Sequence, residues 1–151
     1  MSQIGLETWR GAVAPWHIDQ MGHMNVRFYV AFGLEGLAGL AGALGMPRAF
    51  TAGATATLAV RDLHIRYLKE ARVTAGLHLE NLVLEMGESE ARILQVLFHT
   101  ATGEPAAAIT STVEHITPGE LRPFAWPAST RRAAEGLMGE APDYARPRGL
   151  A

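Results

Sequence analysis

Hydrophobic and polar positions follow two patterns along the chain, one helical and one extended. Between Val26 and Leu44 the sequence has no proline, and its large apolar residues do not keep to one stripe. An apolar run of this length predicts a long helix that is buried on most sides. Gly45 and Pro47 follow as the expected end signal. Asn25 precedes the run and is predicted to be the N-cap.

Glycine recurs at every third position of this predicted helix. The positions are Gly33, Gly36, Gly39, Gly42 and Gly45. Each interior glycine costs about 1 kcal/mol in helix propensity relative to alanine, so packing must offset that cost. Because three residues rotate a helix by about 300°, the glycines spiral around it instead of forming one groove. We therefore expect a curved sheet to approach the helix closely on several sides.

The segments on either side of the helix have the composition and alternation of β-strands. They cover residues 6–13, 57–68, 76–86, 91–100 and 106–116. Alternation is clear in the fourth segment, where Ile93 and Leu97 share one face while Leu94 and Val96 share the other. Turn residues at 87–89 and 102–105 predict hairpins. The order predicts an α+β fold with one helix on an antiparallel sheet, and an apolar opposite face or sheet edge would favour dimers.

The chain changes character after Thr117. Prolines recur at 118, 123, 127, 142 and 147, and strand periodicity stops. We therefore divide the chain into a domain over residues 1–117 and a proline-rich extension over residues 118–151, packed on the domain or partly mobile. Within the extension, residues 129–138 predict a short helix that is capped by Ser129.

Composition excludes several classes of function. The chain has 151 residues, of which 48% are hydrophobic and 19% charged, so one ordinary globular domain is expected and no membrane span. The net charge of −2 and the scattered basic residues give no footprint for nucleic acid. Cysteine is absent, which excludes a thiol nucleophile. Residues 1–4 lack the start of a secretory signal, so a cytoplasmic location is expected.

The residues that carry chemistry gather directly before the helix. Asp19, Gly22, His23 and Asn25 lie within seven residues of one another. The first N–H groups of a helix have no intrahelical partner and attract negative charge. A carboxylate that faces such donors suits acyl chemistry, with a base or nucleophile on one side and an oxyanion stabiliser on the other. The alternative is that Asp19 only shapes the loop through an Asx-turn.

The pattern Asp-x-x-Gly-His-x-Asn at residues 19–25, followed by Tyr29 and Phe32, resembles the acyl-CoA thioesterases of the hotdog fold. The 4-hydroxybenzoyl-CoA thioesterase-like group is the most similar, over roughly residues 8–117. Residues 65–71, 97–99 and 103–104 also resemble the betainyl-CoA thioesterase domain of carnitine dehydrogenases. The resemblance implies a long central helix wrapped by a curved sheet of about five strands. It also implies a homodimer or homotetramer, with active sites at the subunit interface.

The resemblance implies hydrolysis of an acyl-CoA to a carboxylate and free CoA, without a further cofactor. It places Asp19 as nucleophile or general base and a backbone N–H near Val26 as oxyanion donor. His23 and Asn25 would shape the site, although His23 could equally brace the loop and Asn25 also suits a cap. The main rival is a non-catalytic acyl-CoA-binding or regulatory module. A hotdog hydratase is disfavoured because its usual Asp and His signature is missing.

Substrate contacts are predicted at Trp16, Gly22, Tyr29 and Glu35. Trp16 and Tyr29, together with Phe28, would suit an aryl group or, by cation–π attraction, a trimethylammonium acyl group. Glu35 stands in an apolar helix, where an unpaired charge is costly, so it needs a partner. It is a reserve candidate for catalysis, and a helix-to-sheet hydrogen bond is the simpler interpretation.

Three basic residues are candidates for the CoA phosphates, namely Arg61, Arg66 and Lys69. A solvated strand edge explains these residues equally well. The histidines on the predicted strands have no ligand pair at metal spacing, so no metal is expected. No serine stands in a Gly-x-Ser-x-Gly elbow, which disfavours an α/β-hydrolase.

Overall fold

The computed structural model describes residues 3–148. Residues 1–2 of the predicted domain and residues 149–151 of the predicted extension lie outside the described part of the chain. In chain order the elements are β1 (Leu6–Ala12), α1 (Val26–Ala43), β2 (Thr57–Tyr67), β3 (Gly76–Met86), β4 (Glu90–His99), β5 (Pro105–Ile116) and α2 (Ala128–Glu135). Short 3₁₀ turns cover Pro15–His17 and Asp143–Ala145. Each predicted strand is therefore confirmed to within one residue at either end.

The strands form one antiparallel sheet in the order β1-β3-β4-β5-β2. The α1 helix packs on one face of this sheet, where Leu40 and Val83 share a core cluster with Ile93. The expected alternation in β4 is confirmed, because Leu94 and Val96 belong to a separate cluster on the opposite face. The predicted α+β fold, with one long helix on five antiparallel strands, is confirmed.

Both ends of α1 agree with the sequence signals. Oδ1 of Asn25 accepts a hydrogen bond of 3.1 Å from the N–H of Arg27, which confirms the N-cap. Gly45 follows the helix with φ of +84°, a conformation that favours glycine. The helix has the length and hydropathy of a membrane span, with a mean hydropathy of 1.2 over 18 residues, yet its buried side chains pack in the core of the protein.

The expectation that α1 is buried on most sides is wrong. Its buried residues are Tyr29, Phe32, Gly33, Gly36, Leu37, Leu40 and Ala41, which recur at helical spacing and define one face. Leu34 is 47% exposed and Glu35 is also exposed. The sheet covers only one side of the helix, and the outer side consists largely of small or apolar residues. The apolar pattern of the sequence therefore predicts more burial of α1 than the structure shows.

Close approach to the sheet accounts for three of the helix glycines. A Cβ on Gly33 would lie 3.0 Å from Ile109 of β5, and one on Gly36 would lie 2.4 Å from Leu79 of β3. A Cβ on Gly39 would lie 2.9 Å from Thr8 of β1. The contacts move across the sheet, as expected for glycines that spiral around a helix.

The C-terminal segment packs against both faces of the sheet. On the α1 side, Trp126 and the α2 residue Ala134 are buried in the core cluster that contains Leu40. Ala145 is buried on the opposite face against Leu94. The C-terminal segment therefore covers part of that face, while Arg92 of the central strand β4 stays exposed on it.

The helix in this segment begins one residue earlier than expected. Its N-cap is Pro127, with φ of −59°, ψ of 149° and no side-chain cap. Ser129 is thus the second helical residue, and the prediction that it caps the helix is wrong. Proline favours the extended conformation that the residue before the first helical turn adopts, which explains why the helix begins directly after Pro127.

Candidate active site

The loop between Ile18 and Met24 is a tight hairpin held by its own backbone. Ile18 and Met24 form an antiparallel bridge, and the N–H of Asp19 donates to the carbonyl of His23 at 3.0 Å. Gly22 turns the chain with φ of +79° and donates to the carbonyl of Asp19 at 3.1 Å. The glycine is therefore required by the turn, which brings Asp19 and His23 to the same end of the hairpin.

One oxygen of Asp19 stabilises this hairpin. Oδ1 accepts a hydrogen bond of 2.9 Å from the N–H of Met21, which is the Asx-turn considered as the alternative function of this residue. Among residues 3–148, Oδ2 of Asp19 has no hydrogen-bond partner. The carboxylate can therefore hold the loop with one oxygen and take part in chemistry with the other.

The hairpin docks on the segment that follows β2. The N–H of Met24 donates to the carbonyl of Ala71 at 2.7 Å, and Ala71 is fully buried. This segment is itself fixed to the sheet, because the N–H groups of Leu68 and Lys69 both donate to the carbonyl of Ala106. Residues 68–71 therefore form the wall opposite the Asp19 loop.

A cleft of about 340 Å³ lies between the loop, the start of α1 and this wall. Its lining residues are Asp19, Met21, His23, Met24, Val26, Tyr29, Tyr67, Leu68, Lys69 and Glu70. The cleft thus combines a carboxylate with the first residue of a helix, as the sequence pattern predicts.

Nearly all the backbone N–H groups around the start of α1 are paired. Around the helix start, the N–H groups of Met24, Asn25, Arg27 and Phe28 all donate within the chain. The N–H of Val26 has no acceptor among the described residues. It belongs to the first turn, where the helix dipole favours negative charge. Val26 is also one of the residues that line the cleft.

Three further polar side chains, those of His23, Glu70 and Tyr29, line the cleft. Nε2 of His23 lies 3.1 Å from Oε2 of Glu70, and Glu70 also accepts a hydrogen bond of 2.8 Å from Arg72. Burial raises the pKa of Tyr29 above its usual range, opposed by a hydrogen bond with the backbone of Ala71 and reinforced by nearby negative charges. Tyr29 therefore keeps its proton at neutral pH and can donate it in a hydrogen bond.

The sequence of the chain matches the family model of the thioesterase-like superfamily over residues 13–134, which is most of its length. The chain belongs to the thioesterase-like superfamily. Membership confirms the predicted class of enzyme, a thioester hydrolase. The narrower assignment to the 4-hydroxybenzoyl-CoA thioesterase-like group stays a prediction. No curated protein matches the sequence significantly.

Solved structures support the hotdog thioesterase fold. A Staphylococcus aureus protein in complex with CoA superimposes with a TM-score of 0.80, at 15% identity over 100% of this chain and 99% of the other. A Pseudomonas aeruginosa protein gives 0.78, at 21% identity over 88% and 92%. A Thermus thermophilus thioesterase complexed with coenzyme A and zinc gives 0.74, at 16% identity over 90% and 97%. At these identities the likeness establishes the fold.

Some predicted site residues of this superfamily member lie outside the cleft. Asn25 caps α1, and Gly22 forms the turn without lining the cleft. Trp16 is 74% exposed on the 3₁₀ turn and also does not line it. Glu35 is exposed and accepts a hydrogen bond of 2.5 Å from the indole N–H of Trp9, so it forms the helix-to-sheet contact that was the simpler interpretation. Glu35 therefore has the partner that an acid in an apolar helix was expected to need, and it does not line the cleft.

The three predicted CoA contacts occupy different surroundings. Arg61 pairs with Glu114 at 2.6 Å, and Arg66 donates to two carbonyls of the C-terminal segment. Lys69 lines the cleft and pairs with Glu104 at 2.7 Å. Only Lys69 of the three therefore lies beside Asp19 within one subunit.

Sequence reasoning did not assign Glu70 and Tyr67 to the site, although both line the cleft. The signal was available in the Tyr-Leu-Lys-Glu run at the end of β2, which carries part of the family resemblance. No group of three or more His, Asp or Glu side chains suited to a metal occurs among residues 3–148. The expected lack of a metal and the cytoplasmic location stay predictions.

Proposed function

We propose that this enzyme hydrolyses a small acyl-CoA thioester to a carboxylate and free CoA in the cleft between Asp19 and the start of α1. The observation that carries the proposal is that Asp19, which has one unpaired carboxylate oxygen, and Val26, whose backbone N–H has no acceptor among the described residues, both line the same cleft. The choice of CoA is supported by two solved structures of the same fold, which were determined with CoA.

Asp19 acts as general base or as nucleophile. As base, Oδ2 takes a proton from a water molecule whose oxygen attacks the thioester carbonyl carbon. The resulting oxyanion is stabilised by the N–H of Val26 and the positive end of α1. The C–S bond then breaks, and the CoA sulfur leaves with the proton that Asp19 received. As nucleophile, Oδ2 attacks the carbonyl carbon directly, the C–S bond breaks and CoA leaves as the thiolate, so that an Asp19–acyl anhydride remains. Water then hydrolyses this anhydride to the free carboxylate and the Asp19 carboxylate, and the protons it releases pass to the CoA thiolate and to solvent.

Neighbouring side chains position the reactants. His23 is held by Glu70 and borders Asp19, so it orients the water or the acyl oxygen. Tyr29 offers a protonated hydroxyl from the wall of the cleft. Lys69 lies at the same cleft and is exposed, which suits a contact with a CoA phosphate.

The open cleft is completed by a second subunit. Strand β2 is a sheet edge and carries exposed Leu63 and Tyr67, of which Tyr67 also lines the cleft. An exposed apolar sheet edge favours pairing with another chain. We therefore propose a homodimer, or a homotetramer built from such dimers, in which the β2 edge forms the interface.

Asp19→Asn tests the catalytic proposal. The amide retains an oxygen for the N–H of Met21, so the hairpin should persist while the base and nucleophile are lost. We expect turnover of aryl, short aliphatic, long-chain and betainyl thioesters, followed with a thiol reagent, to fall by at least about 100-fold. Asp143→Asn is the matched control, since the side chain of Asp143 is exposed and Asp143 does not line the cleft.

Two outcomes would contradict the proposal. Asp19→Asn could retain full turnover while it keeps the same melting temperature. Alternatively, the unmodified enzyme could gain melting temperature with acyl-CoAs yet release no thiol, which would identify a binding module.

A further inference from the structure

A second cavity, of about 240 Å³, lies on the face of the sheet opposite α1. Its lining comes from β3, from β4 and from the turn before β5, and consists of His78, Glu80, Phe98 and residues 100–103. Strand alternation explains the position, because Leu79, between His78 and Glu80, packs toward α1 in the cluster that contains Phe32. The cavity shares no lining residue with the Asp19 cleft and is a separate site.

Three side chains of this cavity form one hydrogen-bonded chain. Nε2 of His78 lies 3.1 Å from Oε2 of Glu80, and Nδ1 of the same ring lies 2.9 Å from Oγ1 of Thr100. An ionised carboxylate only accepts, so Nε2 carries the hydrogen and Nδ1 of the neutral ring carries the lone pair. The hydroxyl of Thr100 therefore donates to Nδ1. A hydroxyl that is bonded to an imidazole lone pair, with a carboxylate behind the ring, is the arrangement that activates an oxygen nucleophile.

The two ends of this chain differ in exposure. Glu80 is only 6% exposed, and its Oε1 accepts hydrogen bonds of 2.7 Å and 3.1 Å from the N–H groups of Ile4 and Gly5. These two donors fix the carboxylate and leave Oε2 for His78. Thr100 is exposed at the start of the turn, so its hydroxyl is open to a molecule from solvent. The acid is thus held by the fold while the hydroxyl stays accessible.

The turn after β4 also has unpaired backbone donors. The N–H groups of Ala101 and Thr102 have no acceptor in the described part of the chain, whereas Gly103 donates to the carbonyl of His99. Ala101 and Thr102 both line the cavity, directly after the Thr100 hydroxyl in the sequence. Backbone N–H groups beside a nucleophile are the usual means of stabilising an oxyanion.

We propose that this cavity is a second hydrolytic site, which cleaves small carboxylic esters with Thr100 as nucleophile. Oγ1 attacks the ester carbonyl carbon while its proton passes to Nδ1 of His78, and the N–H groups of residues 101–102 stabilise the oxyanion. The bond from the carbonyl carbon to the leaving oxygen breaks, and the alcohol departs with the proton from Nδ1. Water then attacks the Thr100 ester and gives a proton to Nδ1, which returns it to Oγ1 as the acid is released. Glu80 is the positioning residue that keeps the hydrogen on Nε2.

This proposal stands independently of the thioesterase proposal, and the test is made in an Asp19→Asn background. 4-Nitrophenyl acetate reports turnover through nitrophenolate, and an alkyl fluorophosphonate marks the nucleophile, because a P–O bond forms as fluoride leaves. At mildly alkaline pH we expect steady nitrophenolate release and one phosphonyl group on Thr100 by peptide mass spectrometry. Thr100→Val, a near isostere, and His78→Gln should each lower both rates by at least about tenfold. Thr112→Val removes a hydroxyl outside the cavity and should change neither rate.

The tautomer of His78 separates positioning by Glu80 from a merely structural function. Imidazole ¹⁵N NMR of the unmodified protein needs no variant to fold and should show the hydrogen on Nε2. Glu80→Gln keeps an oxygen for the N–H groups of Ile4 and Gly5 but presents an amide N–H to His78. The hydrogen should then move to Nδ1, and turnover should fall by at least about tenfold.

Three outcomes would each overturn the proposal. They are absence of the phosphonyl group from Thr100, ester turnover that survives Thr100→Val, and a neutral His78 ring with its hydrogen on Nδ1 in the unmodified protein. Activity on acyl-CoA, retained or lost, decides only the function of the Asp19 cleft.

Discussion

Nε2 of His23 lies 3.1 Å from Oε2 of Glu70, across the cleft that separates the Asp19 loop from the segment after β2. The contact joins two parts of the chain that are otherwise linked there by the backbone bond from Met24 to Ala71. Both side chains are partly exposed, so the contact orients the imidazole more than it stabilises the fold. It makes Glu70 the positioning residue for His23.

Glu70→Gln should therefore affect turnover more than stability. The substitution weakens two exposed contacts, with His23 and with Arg72, and an exposed ion pair contributes about 0.2–1 kcal/mol, so the melting temperature should change little. We expect kcat to fall by about three- to tenfold because His23 loses its orientation next to Asp19. Steady-state kinetics and thermal melting on the same preparations measure both effects. Glu104→Gln removes the exposed partner of Lys69 and is the control, with a kcat that should stay unchanged.

Local sequence patterns predict the elements of the fold but not which side of α1 is covered. The N-cap at Asn25 and the positive φ of Gly45 depend on neighbouring residues alone, and both are confirmed. Burial of α1 depends on how far the sheet curves, which its own residues do not encode. The outer side of α1 combines small residues with Leu34, so its composition looks like that of a core helix. Glu35 lies on this outer side and is exposed.

The sequence predicts the part of the candidate site that lies within one short stretch of the chain. Asp19, His23 and Val26 lie within one hairpin and one helix start, so their spacing alone brings them together. Glu70 reaches the same cleft through a hydrogen bond between Met24 and a residue far along the chain. The hydrophobic periodicity of the sequence does not indicate such a contact between distant parts of the chain. A pattern shared with a family identifies the segment without giving the function of each residue.

Two glycines of α1 provide a matched pair for testing close packing. A Cβ at Gly36 would lie 2.4 Å from Leu79 and 3.1 Å from Thr8, whereas one at Gly42 meets no atom within 4 Å. Overpacking costs about 1–3 kcal/mol, partly offset by the gain of about 1 kcal/mol in helix propensity. Gly36→Ala should therefore lower the free energy of unfolding by about 1 kcal/mol. Gly42→Ala should raise it by about 0.5–1 kcal/mol.

Urea denaturation of both variants measures these changes. Equal stabilisation by the two substitutions would show that the sheet does not press on α1 at Gly36. Equal destabilisation would show that Gly42 meets a neighbour in the assembled protein.

Alkaline pH should destabilise the protein through its tyrosines. Burial is the first cause that raises the pKa of Tyr29, Tyr67 and Tyr144 above the ordinary value of 10.0. As pH rises past that value, the unfolded chain loses these protons before the folded one does. The unfolded state then binds fewer protons, so the free energy of unfolding falls with pH.

Tyr29→Phe should reduce this alkaline loss, because Tyr29 is the most deeply buried of the three. Denaturant unfolding at a series of pH values from neutral to above 10 measures the slope, and Tyr144→Phe is the comparison. An unchanged slope in Tyr29→Phe would mean that its hydroxyl ionises as readily in the folded protein as in the unfolded one.

The exposed edge of β2 predicts how the protein assembles. Leu63 and Tyr67 are exposed on this edge, although the C-terminal segment covers part of the face opposite α1. Burying an apolar side chain such as leucine contributes about 1.5–3 kcal/mol, so a charge at this position should weaken an interface strongly. Leu63→Lys should therefore convert the assembly to monomers in light scattering. It should also reduce turnover, because Tyr67 on the same edge lines the Asp19 cleft.

Leu121→Lys changes an exposed leucine in a loop beyond β5 and should leave both the assembly and the turnover intact. A Leu63→Lys variant that keeps the original mass would place the subunit interface elsewhere, and a monomer with full turnover would show that one subunit contains the whole site.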